Sequence, residues 1–99
     1  MNIEEIRSGD TIQLNVEGKI DTFSNDEFQN VVLGAFQKSR NLIINFEKVE
    51  HITSIGLRTL LIGQKTAQAK GGKLTIINPT DAVSDIFRVT GFDSLLTIR

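Results

Sequence analysis

The sequence predicts an α/β fold: one domain over residues 1–99, built on a mixed sheet of four to five strands with about three helices. Stretches with an apolar period of two alternate along the chain with stretches whose apolar residues recur every three to four positions. Turn-forming Gly, Ser, Asp, Asn and Pro residues fall between them. The length of 99 residues matches one domain at about 100 to 200 residues each.

Taken in order, Thr11, Gln13, Asn15 and Glu17 alternate with Ile12, Leu14 and Val16, the pattern of a strand with one face in water. Ile3 to Arg7 precedes it across Ser8-Gly9-Asp10, a spacer suited to a hairpin, so a first strand is expected there despite Glu4 and Glu5. Gly18 to Phe23 leads to Ser24, and Ser24 followed by Glu27 has the form of a capping box. A helix is expected from that point, with Phe28, Val31, Val32, Ala35 and Phe36 on one stripe and its end near Ser39. Leu42, Ile43, Ile44 and Phe46 form a nearly continuous apolar run, which reads as a central strand covered on both faces. Glu47 to Ile52 then reads as irregular. From Ser54, taken as the N-cap, a second helix is expected to about Lys70, with Leu57, Leu60 and Leu61 on one stripe and Arg58, Lys65 and Gln68 outside it. Gly71-Gly72 ends it, because glycine reaches left-handed angles without a Cβ penalty. Lys73 to Asn78 reads as a strand. Asn78 then serves as a cap, with Pro79 in the first turn of a helix that buries Val83, Ile86 and Phe87 and stops at Gly91. Leu95 to Ile98 is a last short strand. Parallel neighbours need a crossover, usually a helix, so this alternation makes part of the sheet parallel.

Composition narrows the function. Eleven Lys and Arg against twelve Asp and Glu leave a net charge of −1, which provides no basic field for a phosphate backbone, so nucleic-acid binding is not expected. With no Cys and a single His, disulfides, thiolate nucleophiles and zinc sites cannot be written within the chain, and the acidic residues form no calcium loop. No metal or other cofactor is expected. Neither Gly-x-x-x-x-Gly-Lys-Ser/Thr nor Gly-x-Gly-x-x-Gly occurs at a strand-to-helix junction. The start MNIEEIRSGD lacks the basic and apolar regions of a signal peptide, and no apolar run approaches the roughly 20 residues of a membrane span. A cytoplasmic monomer without a membrane partner is expected.

The informative segment is His51-Ile52-Thr53-Ser54-Ile55-Gly56-Leu57-Arg58, between the central strand and the second helix. Ser54 and His51 are the residue types of a nucleophile and base, but no orienting acid accompanies them, so a hydrolase is not expected. A serine at a helix start has a purely structural use, capping an orphan amide for about 1 kcal/mol. The same amides and the positive end of the helix dipole also accept a phosphate ester on that hydroxyl. Gly56 fits either reading, by leaving the hydroxyl accessible or by allowing close packing.

At these residues the chain resembles the STAS-domain family, in particular its small anti-sigma factor antagonists. The resemblance runs through Gly18-Lys19-Ile20-Asp21, Leu42 to Phe46, Ser54-Ile55-Gly56-Leu57, Gly71-Gly72, and Ile86-Phe87 to Gly91-Phe92. It implies a partner switch without enzymatic activity. The unphosphorylated antagonist binds an anti-sigma factor, a serine kinase of histidine-kinase-like ATPase fold, and so frees a sigma factor; phosphorylation breaks the complex and a metal-dependent serine phosphatase restores it. The resemblance maps the phosphoacceptor onto Ser54, with Thr53 the second choice, and places partner contacts at Asp21, Thr22, Thr53, Ile55, Gly56, Leu57 and Arg58. The chain has Thr53 where members commonly carry aspartate and Ile55 where they carry a small or hydroxyl residue. Those two departures suit an alternative: a STAS scaffold, or a subunit of a signalling or transport complex, that is not phosphorylated.

Overall fold

The structure, a computed structural model, describes residues 1–99. Five strands form one sheet in the order of the chain: β1 (Asn2–Ser8), β2 (Thr11–Ile20), β3 (Asn41–Ile52), β4 (Lys73–Ile77) and β5 (Thr97–Ile98). β1 and β2 pair antiparallel as the expected hairpin; every later pairing is parallel. The crossovers are α1 (Asn25–Lys38), α2 (Ser54–Ala69) and α3 (Asp81–Thr90), the last followed by a short 3-10 turn at Phe92–Ser94. The fold class read from the sequence is the one observed.

Each parallel strand lies beside its predecessor in the same direction across the sheet, so right-handed crossovers place all three helices on one face. Ile12, Leu14 and Val16 of β2, Leu42, Ile44 and Phe46 of β3, and Leu74 and Ile76 of β4 point to that face and are buried. They join Phe28, Val32 and Phe36 of α1, Leu57 and Leu60 of α2, and Val83 and Phe87 of α3 in one core. Phe46 and Phe87 stack obliquely with centroids 6.2 Å apart. The apolar run Leu42 to Phe46 is therefore covered on one face, not two: Ile43 and Asn45 are only half-buried on the other. That second face carries side-chain amides, with Asn45 Nδ2 donating to Asn15 Oδ1 (3.2 Å) and Asn15 Nδ2 to Glu4 Oε1 (2.9 Å).

Several boundaries differ from the sequence reading. Glu47 to Ile52 is strand, not irregular, and β2 continues to Ile20. Two bulges explain the misreading: the partner offset between β2 and β3 slips by one residue between Asn15 and Glu17 and again between Gly18 and Lys19. Buried positions on β3 therefore run Ile44, Phe46, Val49, Ile52, and a period of two is lost. Ser24 precedes α1 but its side chain makes no cap bond, so the capping box with Glu27 is not formed. Its hydroxyl is already engaged with Lys19 O (2.7 Å) and with the Asp21 amide (3.0 Å). Asn78 is not a helix cap; it sits at φ 55°, and Thr80 caps α3 by accepting from the Val83 amide at 3.3 Å. Leu95 and Leu96 fall between the 3-10 turn and β5, so the last strand is shorter than expected. Gly71-Gly72 does end α2: Gly72 N–H bonds Ala67 O and Gly71 N–H bonds Gln68 O, with Gly71 at φ +72°.

Candidate functional site

The ends of β2 and β3 lie together where the parallel strands finish. Ile20 pairs with Ile52, and the next amide, Thr53 N–H, bonds Ile20 O at 2.9 Å. The α2 start and the β2–α1 turn are thereby joined by backbone.

Thr53, not Ser54, is the N-cap of α2: it keeps extended backbone (φ −95°, ψ 175°), and the first helical bond runs from Leu57 N–H to Thr53 O. Ser54 is the first helical residue. The Ser54, Ile55 and Gly56 amides therefore precede the hydrogen-bonded ladder and form the positive end of the helix. Thr53 does not cap them with its side chain; its half-buried hydroxyl lies 3.4 Å from Ile20 O. The first turn holds no acidic residue. Ser54 is exposed, and Arg58, also exposed, follows one turn later on the same side.

The other sequence-predicted residues divide by burial. Thr22, Ile55 and Arg58 face solvent, Ile55 with 41% of its surface exposed. Gly56 and Leu57 do not belong to the surface, which corrects their assignment as partner contacts: both are buried, Leu57 at 4%. An added Cβ on Gly56 would lie 2.6 Å from Ile20 Cγ2 and 2.7 Å from Ile52 Cγ1, so this glycine lets the helix start rest on the two strand ends. Of its two readings, close packing is the one the structure supports.

Asp21 is half-buried and turned into its own loop, where Oδ1 accepts from the amides of Phe23 (3.0 Å) and Ser24 (3.1 Å). From α2, the buried Thr59 hydroxyl donates to Asn25 Oδ1 at 2.9 Å, tying this turn to the Ser54 helix a second time. The bond leaves neither buried polar group unpaired. Phe23, between Asp21 and Ser24, is 96% exposed. The sequence reading passed over it; the available signal was an aromatic residue among turn formers, outside the stripe of either neighbouring element. His51 is exposed at the end of β3. No three His, Asp or Glu side chains converge to hold a metal ion, and no helix is long and apolar enough to cross a membrane.

A five-stranded mixed sheet with all helices on one face, and an exposed serine opening the helix after the longest strand, define a small single-sheet α/β domain. The STAS domain family matches residues 2–99, and the chain belongs to it. The anti-sigma-B factor antagonist of Bacillus subtilis (strain 168) is 24% identical over 98 residues, covering 99% of this chain and 90% of that protein. The structure of SpoIIAA in its unphosphorylated form superimposes with a TM-score of 0.83 at 18% identity, covering 99% of this chain and 88% of that one. The phosphorylated form of this Bacillus cell fate determinant gives 0.76 at 17% identity, with 99% and 91% covered. At such identities the structural likeness speaks for the fold.

Proposed function

We propose that this chain is an anti-sigma factor antagonist: a protein-binding switch, without catalysis of its own, whose state is set by phosphorylation of Ser54. The observation that carries the reading is an exposed hydroxyl on the first residue of α2, above three amides outside the helical ladder and with no acid in the first turn. Full-length membership in the STAS family and curated relatives named anti-sigma-B factor antagonist support it.

The partner is an anti-sigma factor with serine kinase activity and a histidine-kinase-like ATPase fold. It binds the unphosphorylated surface of Thr22, Thr53, Ser54, Ile55 and Arg58 and thereby releases a sigma factor. In the transfer step Ser54 Oγ bonds the γ-phosphorus of ATP held by the kinase, the bond to the β-phosphate oxygen breaks, ADP leaves and the hydroxyl proton passes to a partner base. The phosphoserine brings about −1.5 to −2 of charge to a contact surface that was neutral at Ser54 and Ile55. Re-docking must desolvate that charge, and each 1.4 kcal/mol so lost weakens binding tenfold. A metal-dependent serine phosphatase removes the phosphate and resets the switch.

The test is incubation with the cognate kinase and ATP. Mass spectrometry is expected to locate a phosphate on Ser54, and Ser54→Asp is expected to weaken kinase binding by about tenfold or more. Phosphate found only away from Thr53 and Ser54 sinks the reading. The scaffold alternative, favoured by Thr53 and Ile55, instead requires binding that ATP leaves unchanged.

A further inference from the structure

We propose that Phe23 is the apolar anchor by which the unphosphorylated chain docks its partner, and that Asp21 and Ser24 are positioning residues that hold its turn in the presenting conformation. The inference rests on the partner-switch reading above and adds to it the residue that supplies the binding surface with its apolar centre.

Three observations converge. First, Phe23 leaves 96% of its surface in water, so its own fold gains nothing from the ring. Burying a phenylalanine side chain is worth about 1.5–3 kcal/mol, and that gain is available only to a partner. Second, the turn is fixed. Asp21 O accepts from the amides of Ser24 (3.3 Å) and Asn25 (2.9 Å), while Asp21 Oδ1 accepts from those of Phe23 (3.0 Å) and Ser24 (3.1 Å). The Ser24 hydroxyl donates to Lys19 O (2.7 Å), and Thr59 grips Asn25 from α2. A ring on a braced turn loses little backbone freedom on docking, the condition under which one side chain contributes most to affinity. Third, its location singles it out. The large exposed apolar residues are Ile6, Phe23, Ile55, Val89 and Leu95. Ile6 pairs with Gln13 near the start of β2, Val89 lies in the last turn of α3, and Leu95 comes just before β5. Only Phe23 and Ile55 stand at the finishing end of the parallel strands, on the two segments joined by the Thr53–Ile20 bond beside Ser54.

The occupant is therefore the protein that reads Ser54, with an apolar socket for one phenyl ring set beside the place where it receives the hydroxyl. A second copy of the chain fits less well. A cleft of about 440 Å³ on the open sheet face has only Ile3 and Val16 as apolar residues among the nine that line it, a poor host for a phenyl ring. The position of Asp21 also gives its carboxylate a structural task, since Oδ1 is occupied by the turn it closes.

Calorimetric titration of the purified anti-sigma kinase of the same genome into the intact unphosphorylated chain tests the proposal. Phe23→Ala is expected to weaken binding about 10- to 100-fold, the burial of the ring converted at 1.4 kcal/mol per decade. Its melting temperature should match the wild type, because 96% of the residue's surface already lies in water, and Val89→Ala at the opposite end should bind normally. Asp21→Ala should lose affinity, and Asp21→Asn, which keeps an oxygen acceptor for the Phe23 and Ser24 amides, should restore affinity and phosphorylation rate. If Phe23→Ala binds like wild type while Ser54→Asp does not, the anchor is wrong and the switch stands. Wild type that does not bind the kinase overturns both. A dimer of the chain alone that Phe23→Ala abolishes, seen by sedimentation, assigns the ring to a second copy and overturns the partner. Failure of Asp21→Asn to restore phosphorylation makes the carboxylate charge itself necessary and overturns the positioning role.

Discussion

Helices α2 and α3 both begin on a threonine in extended backbone, Thr53 at ψ 175° and Thr80 at ψ 162°, yet the two hydroxyls are used differently. Thr80 accepts from the Val83 amide at 3.3 Å and donates to Val49 O at 3.1 Å, and Asp81 adds a negative charge to the first turn. That start is complete: an orphan amide has a partner and the dipole has a counter-charge. Thr53 turns its hydroxyl back toward Ile20 O, and the first turn of α2 has no acid. The same residue type thus finishes one helix and leaves the other open, and the open start is the one that carries the exposed serine. The difference between a closed helix start and an open one lies here in what the cap leaves unsatisfied.

The largest expected effect tests how the open start is held. Gly56→Ala places a methyl group within 2.7 Å of both Ile20 and Ile52 side chains, and the strand ends beneath α2 must give way. A loss of about 1–3 kcal/mol is expected in chemical denaturation, together with slower phosphorylation of Ser54. A silent substitution would show that the helix start does not rest on the sheet. Next in size is the contrast between the two caps. Thr80→Ala should cost about 1 kcal/mol, whereas Thr53→Ala should cost roughly 0.5 kcal/mol or less. Equal losses would erase the distinction drawn between the two starts. Smallest is the effect of a permanent negative charge: Ser54→Asp should stabilise the isolated chain by about 0.3–1 kcal/mol in thermal melts, while weakening the complex. Destabilisation instead would mean that the α2 terminus does not welcome an anion.

Much of this molecule was legible as periodicity. β2 shows its alternation directly, and of the two helix stripes Phe28, Val32, Ala35, Phe36, Leu57 and Leu60 are buried as read while Val31 and Leu61 are half-buried. What escaped has specific causes. On the far half of β3 the bulges set buried residues three apart at Phe46, Val49 and Ile52, a spacing that no strand template contains. Helix starts were misread by one or two residues because Thr53 and Ser54, or Asn78 and Thr80, are equally good caps by composition; the backbone angles choose between them. Ser54 could be proposed from the sequence because a hydroxyl at a helix start is a local feature, and the structure leaves it exposed on the first residue of α2. Gly56 stayed open between two readings because its packing depends on Ile20 and Ile52, which reach the helix start only through the sheet. Phe23 was passed over because exposure of one ring is a property of the assembled turn.

The two bulges have a consequence for how this chain tolerates insertion and deletion. Partner numbers differ by 30 at Asn15–Asn45 and by 32 at Ile20–Ile52. The two additional residues on β3 bring Ile52, rather than Glu50, level with Ile20, and so set Ser54 beside the Asp21 turn. Loss of one residue between Asn45 and Ile52 could leave the strands, helices and core in the same order while carrying the serine out of step with Phe23. The spacing between hydroxyl and ring is in this sense a residue count, set by the length of that half-strand.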